Sequence, residues 1–146
     1  FSLDIKIARI FNAYGPRLKK DDGRVISNFI NQALNNEDLT IYGTGLQTRS
    51  FCYIDDAVNA ILKCEKAKKD EIFNVGNNDE IKIIDLIKKI LKILKIKADI
   101  KKGKLKYGSV KRRCPDISRL KKLGYKRKYN LDLGIKKTLN WYQKNI

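Results

Sequence analysis

Apolar positions along this chain follow two periods, and the switches between them outline the elements. From Arg24 to Asn35 the apolar residues are Val25, Ile26, Phe29, Ile30, Ala33 and Leu34, a spacing that predicts a helix with one buried face. Ile83 to Ile96 repeats that spacing more strongly, with Ile83, Ile84, Ile87, Ile90, Leu91 and Leu94 inward and lysines outward. Ile5 to Phe11 alternates instead and predicts a strand. Leu39–Tyr42, Ser50–Ile54 and Ile72–Val75 are short apolar runs that read as further strands, with Ala98–Ile100 a shorter candidate. Asp55 is placed to cap a helix whose buried face would be Ala57, Val58, Ile61 and Leu62.

Two helices are predicted near the end. One runs from about Pro115-Asp116 to Gly124, and the other begins near Asn130 and carries Ile135, Leu139, Trp141 and Tyr142. Lys101–Lys111 reads as a polar, glycine-punctuated loop. Strands and helices mix without repeats, so the class is α/β, and no internal linker divides residues 1–146.

Charge changes this picture less than its size suggests. The chain has 33 basic and 16 acidic residues, a net charge of +17, which would ordinarily point to nucleic acid. Much of the excess is lysine at helical surface spacing, including Lys88, Lys89, Lys92 and Lys95, then Lys121, Lys122, Lys136 and Lys137. Solvated helix faces account for that pattern, so nucleic acid is an unlikely partner. Cys52, Cys64 and Cys114 are scattered and there is no histidine, which argues against zinc and for reduced thiols in the cytoplasm. No apolar run approaches the ~20 residues of a membrane span.

The chemistry therefore rests on arginines and amides at strand ends. Asn12 stands just past the end of the first predicted strand, where open α/β sheets place ligands. It could equally close the turn before Gly15-Pro16. Arg49 follows Gly43-Thr-Gly45, a turn whose backbone can approach an anion; otherwise it is a surface arginine paired with Asp55 or Asp56. Tyr42 could line a nucleoside pocket or simply pack. Arg112-Arg113 precedes Cys114-Pro115 and is either a second cationic point or a solvated pair.

Jointly these segments are distinctive. Arg9-Ile-Phe-Asn-Ala-Tyr-Gly-Pro-Arg17, Asp21-Asp-Gly-Arg-Val-Ile-Ser-Asn-Phe-Ile30 and Tyr42-Gly-Thr-Gly-Leu-Gln-Thr-Arg-Ser-Phe-Cys-Tyr-Ile-Asp-Asp56 resemble the extended short-chain dehydrogenase/reductases. Within them the chain looks closest to the UDP-glucuronate decarboxylases, a likeness that Arg113-Cys-Pro-Asp116, Leu123-Gly-Tyr125 and Leu131-Asp-Leu-Gly-Ile135 continue in order. The resemblance implies a UDP-sugar substrate and NAD as cofactor. It assigns Asn12 to the sugar nucleotide near its diphosphate, and Ser27, Asn28 and Phe29 to the sugar-nucleotide pocket. Tyr42, Gln47 and Arg49 would hold the nucleotide and its phosphates. Ala13, where the family often has threonine, and Arg24 would lie toward the nicotinamide. Arg113 would face the sugar in a catalytic or carboxylate-binding role, and Tyr107 is similar to an active-site tyrosine of bacterial bifunctional relatives.

The likeness also defines what is absent. The glycine-rich dinucleotide turn does not occur, and neither does a helical Tyr-x-x-x-Lys pair; Tyr107 and Lys111 have that spacing in a Gly-Ser loop. The expectation is thus the C-terminal, substrate-binding part of such an enzyme, lacking its Rossmann dinucleotide half and inactive alone. Its partners would be that half and, by self-association, a homodimer. Leu46, where relatives have a small or polar residue, and Lys82, where a Ser or Thr cap is expected, depart from the pattern. A 4,6-dehydratase or 4-epimerase acting on a nucleotide sugar remains the alternative enzyme, and a basic nucleic-acid-binding module the alternative of another class.

Overall fold

In the computed structural model, which describes residues 3–68, 71–105 and 108–145, strands and helices alternate much as the apolar pattern predicts. Strand β1 (Lys6–Ile10) pairs in parallel with β6 (Glu71–Val75), and β2 (Ala13–Tyr14) in parallel with β5 (Cys52–Tyr53). β3 (Leu39–Tyr42) pairs in parallel with β8 (Ile100–Gly103). β4 (Thr48–Ser50) is the centre of a three-stranded sheet, antiparallel to β7 (Glu80–Lys82) and parallel to β9 (Arg112–Arg113). The helices are α1 (Val25–Leu34), α2 (Ile54–Glu65), α3 (Ile83–Leu94), α4 (Ser118–Lys122) and α5 (Leu131–Asn145).

The helix with the strongest apolar face anchors the larger core. Leu86, Ile87 and Ile90 of α3 are fully buried in one cluster with Ile30 of α1, Leu39 of β3 and Ile135 and Tyr142 of α5. Each such aliphatic side chain contributes about 1.5–3 kcal/mol by leaving water. As the sequence suggests, Lys82 occupies the α3 N-cap without a side-chain cap bond, while Asn130 Oδ1 accepts the Leu133 N–H at 2.9 Å and caps α5. A second cluster joins α2 to β6 and α4 through Ala57, Ala60, Phe73, Val75 and Leu120.

Three expectations are corrected. The Ser50–Ile54 strand is split into β4 and β5, and Ile54 already begins α2; Tyr53 is its N-cap, so Asp55 and Asp56 lie in the first turn, where the helix dipole favours negative charge. Of the predicted buried face of α2, Ala57 is buried but Val58, Ile61 and Leu62 are exposed; the inward stripe is Asp56, Ala57, Ala60 and Cys64. Lys101–Gly103, read as loop, belongs to β8, where lysines suit the edge of a two-stranded pair.

One face is left uncovered. β1 has one strand neighbour among the described residues, and Ile5, Ile7 and Ile10 are each about half exposed, as are Val58 and Leu62 of α2. Among the described residues no helix is long and apolar enough to cross a membrane.

Candidate functional site

β1 and β6 run in parallel, and the chain leaving β1 turns sharply at Asn12. This residue has a φ of 43°, in the left-handed region that asparagine tolerates better than most residues. Its Nδ2 donates to the Ser50 carbonyl at 2.8 Å and its own carbonyl accepts the Cys52 N–H at 3.2 Å. Asn12 thus ties the end of β1 to the β4–β5 segment, and its Oδ1 and second amide hydrogen have no protein partner among the described residues. Both readings of Asn12, turn and ligand donor, are compatible with this geometry.

A cleft of about 290 Å³ opens beside Asn12 and is lined by Ala13, Arg24, Arg49, Phe51 and Arg113 among others. A second, of about 390 Å³, is lined by Asn28, Phe29, Tyr42, Gln47, Leu105 and Ser109 among others. Gly23, Val25 and Arg49 line both, so Arg49 stands at their junction. The residues assigned from sequence thereby fall into two groups that meet at one guanidinium.

Arg49 has neither of the acidic partners considered for it. Its Nη1 donates to its neighbour Thr48's carbonyl at 2.7 Å and its Nη2 to the Val110 carbonyl at 2.9 Å. Arg113 sits opposite it in the β4–β9 register. No carboxylate lies within ion-pair distance of either arginine among the described residues. Burial, and after it the charge of Arg113, push the Arg49 pKa down. Two facing cations in a cleft with no counter-charge form a site for an anion.

Strand alternation explains why only one of the adjacent arginines serves the cleft. Arg112 and Arg113 point to opposite faces of β9. Arg112 forms a bidentate pair with Glu80, its Nε lying 2.9 and 3.0 Å from the two carboxylate oxygens, and so is neutralised away from the cleft. Arg24 is held at the cleft rim by Asp22, 3.2 Å from its Nε, and by the Ala13 carbonyl, 3.3 Å from its Nη1. In the second cleft Gln47 Nε2 donates to the Tyr42 carbonyl at 2.9 Å, while the Tyr42 ring packs over Gly103, where a methyl group would come within 2.9 Å of it.

One sequence assignment falls elsewhere. Ser27 is buried and lines neither cleft; its hydroxyl donates to Asp22 Oδ1 at 2.6 Å. Tyr107 lies outside the described residues. Phe51 and Leu18 in the first cleft and Leu105 in the second are lining residues that the sequence motifs do not mark. The period of two that joins Arg49 to Phe51 on β4 and its extension was the available signal for Phe51; Leu18 and Leu105 had none, since both arrive from irregular loops.

Comparisons with known proteins bear on the family and the fold. The model of the NAD dependent epimerase/dehydratase family matches residues 1–76, just over half of the chain. UDP-glucuronic acid decarboxylase 6 of Arabidopsis thaliana is 41% identical over 134 residues, which is 91% of this chain and 39% of that protein. The UDP-N-acetylglucosamine 4-epimerase of Methanobrevibacter ruminantium, solved with UDP-N-acetylmuramic acid, is similar with a TM-score of 0.93 and 28% identity, over 99% of this chain and 47% of that one. The UDP-glucuronic acid 4-epimerase of Bacillus cereus, solved with UDP-glucuronic acid and NAD, gives 0.89 and 32%, over 97% and 46%. The chain therefore spans less than half the length of the proteins it resembles.

Proposed function

Because the chain belongs to the NAD dependent epimerase/dehydratase family, we propose that it is the sugar-nucleotide-binding portion of a UDP-glucuronate decarboxylase, which converts UDP-glucuronate to UDP-xylose and CO2. The observation that carries this is the junction of the two clefts at Arg49, with Arg113 beside it and, among the described residues, no carboxylate paired with either. A nucleoside diphosphate attached to a uronic acid supplies negative charge at two separated points, which suits that pair. Arg49 takes the diphosphate, with Asn12 donating its remaining amide hydrogen. Tyr42 and Gln47, with Asn28 and Phe29, form the nucleotide end. Arg113 takes the sugar carboxylate.

NAD, when bound, would supply a reversible hydride acceptor for the sugar C4 carbon. Ala13 and Arg24 fit one wall of its nicotinamide end: they form a rim of the first cleft near the carboxyl end of β1, and Arg24 keeps free N–H groups. The rest of the cofactor site, and the Tyr-x-x-x-Lys pair that moves the C4 hydroxyl proton, would come from a part of the enzyme that packs on the uncovered face of β1 and α2. Within the 4-keto sugar, breaking the C5–carboxylate bond leaves its electron pair as an enolate, and the Arg113 charge next to that enolate lowers its energy. Alone, the 146 residues bind substrate without turning it over. A cytoplasmic setting suits the free thiols Cys52, Cys64 and Cys114.

Calorimetric titration of the chain with UDP, UDP-glucuronate and an oligonucleotide tests the reading. Selective binding of the two uridine ligands is expected; salt-sensitive binding of the oligonucleotide with no response to UDP would replace it with the nucleic-acid module. Joining the chain to the dinucleotide half of a decarboxylase relative and analysing products separates the sister reactions. UDP-xylose with CO2 supports the decarboxylase, and UDP-galacturonate would assign a 4-epimerase, the activity named for the UDP-glucuronic acid-bound relative.

A further inference from the structure

The face of the three-stranded sheet turned away from the cleft carries a clamp. Glu80 of β7 reaches across the central strand, accepting the Thr48 hydroxyl at 2.8 Å on β4 and the Arg112 guanidinium on β9. One carboxylate therefore binds all three strands. On the other face, in the same register, Arg49 stands directly opposite Arg113. Like charges directly opposite in a sheet repel, and β9, two residues long, has few backbone bonds to set against that repulsion.

We propose that Glu80 is a positioning residue, holding β9 against β4 so that Arg49 and Arg113 stay side by side, facing the anion, before any ligand arrives. The inference rests on the sugar-nucleotide reading for its ligand but on the sheet geometry alone for its mechanical part. An exposed ion pair between two flexible side chains contributes little. This one is bidentate, is joined by a hydroxyl, and spans three strands, which is the geometry in which such pairs gain strength. Thr48 and Arg49 are consecutive, so the strand residue held by the clamp is the one whose carbonyl receives Arg49 Nη1. Moving β9 would also move Val110, whose carbonyl receives Nη2.

The test is a thermal-melting cycle on the chain with Glu80→Gln, Arg113→Ala and both, together with UDP and UDP-glucuronate titration of the unmodified chain and Glu80→Gln. Glu80→Gln is expected to lower the melting temperature, and to lower it far less when Arg113 is already alanine, because the repulsion it restrains is then gone. UDP-glucuronate affinity of Glu80→Gln is expected to fall about tenfold, the size of one lost charge-assisted restraint, and UDP affinity less, since UDP lacks the carboxylate assigned to Arg113. Equal melting shifts in both backgrounds, or unchanged UDP-glucuronate affinity, would overturn the proposal and leave Glu80 as an ordinary ion-pair residue. Should Glu80→Gln fail to fold, Thr48→Val removes a single bond of the clamp and is read in the same cycle. If the unmodified chain does not bind UDP, the sugar-nucleotide reading fails, while the melting cycle still decides the clamp.

Discussion

Ser27 gives its hydroxyl to Asp22 at 2.6 Å, and that bond fixes the loop from which Arg24 reaches the cleft. Asp22 also accepts the Arg24 N–H at 2.9 Å, so it closes the turn into α1 while holding the Arg24 side chain. Ser27→Ala should cost about 1.5–3 kcal/mol, the range for a hydrogen bond to a charged group. Asp22→Ala should cost more, since three donors lose their acceptor. Denaturant titration measures both. UDP affinity of Ser27→Ala should drop less than that of Arg49→Ala; the reverse order would put the Ser27 hydroxyl on the ligand.

The place of Ser27 shows where the sequence was legible. Its motif marks the right loop, but whether a hydroxyl faces a ligand or a neighbouring carboxylate depends on a turn that no periodicity encodes. Helices α1 and α3 were readable because each buries one continuous stripe. On α2 the reading failed at Val58, Ile61 and Leu62, which are as apolar as a core face yet open to solvent. Helical spacing of apolar residues thus does not by itself say which stripe faces the core; on α2 the small residues Ala57, Ala60 and Cys64 do. Arg112 and Arg113 were indistinguishable in sequence; only pairing to β4 decides which meets Glu80 and which meets the cleft.

Gly134 gives a sharper stability prediction. It lies inside α5, where glycine is ordinarily unfavourable, because a methyl there would run into the Tyr14 hydroxyl and come within 3.0 Å of the Tyr53 ring. Gly134→Ala should therefore destabilise, by about 1–3 kcal/mol for overpacking, despite its better helix propensity. Tyr14→Phe in the same background should recover part of the loss. A stabilised Gly134→Ala in thermal melts would show that α5 has room against β2 and β5.

Stability should fall at both ends of the pH range, for opposite reasons. Hydrogen bonds from Arg112, then Thr48, hold the Glu80 pKa low, and those from Ser118 do the same for Asp116. Folded-state values below the unfolded ones contribute stability above the ordinary carboxylate range, which is lost as pH falls through the folded values. Burial pushes Cys52 the other way, from 9.0 up to about 11, and raises Tyr14 and Tyr125 as well. Stability from Cys52 is whole below pH 9.0 and lost as pH rises to about 11, a loss of about 2–3 kcal/mol at 1.36 kcal/mol per unit. Melting temperature across pH 3 to 11 measures both limbs, and Cys52→Ser should flatten the alkaline one.

Arg49 and Arg113 should separate the two charges of the substrate. Arg49 joins the clefts, so Arg49→Ala should weaken UDP, UDP-glucose and UDP-glucuronate alike, by about 10–100-fold for a lost charge-assisted bond. Arg113 is assigned to the uronate, so Arg113→Ala should leave UDP and UDP-glucose binding within about threefold while removing the preference for UDP-glucuronate. Arg113→Ala should not lower the melting temperature of the ligand-free chain, because it removes one member of a repelling pair, whereas Arg49→Ala also gives up the bonds to the Thr48 and Val110 carbonyls. Calorimetry with the three ligands reads the split directly. Parallel losses for all three ligands in Arg113→Ala would place both arginines on the diphosphate and leave the sugar's carboxylate to another group.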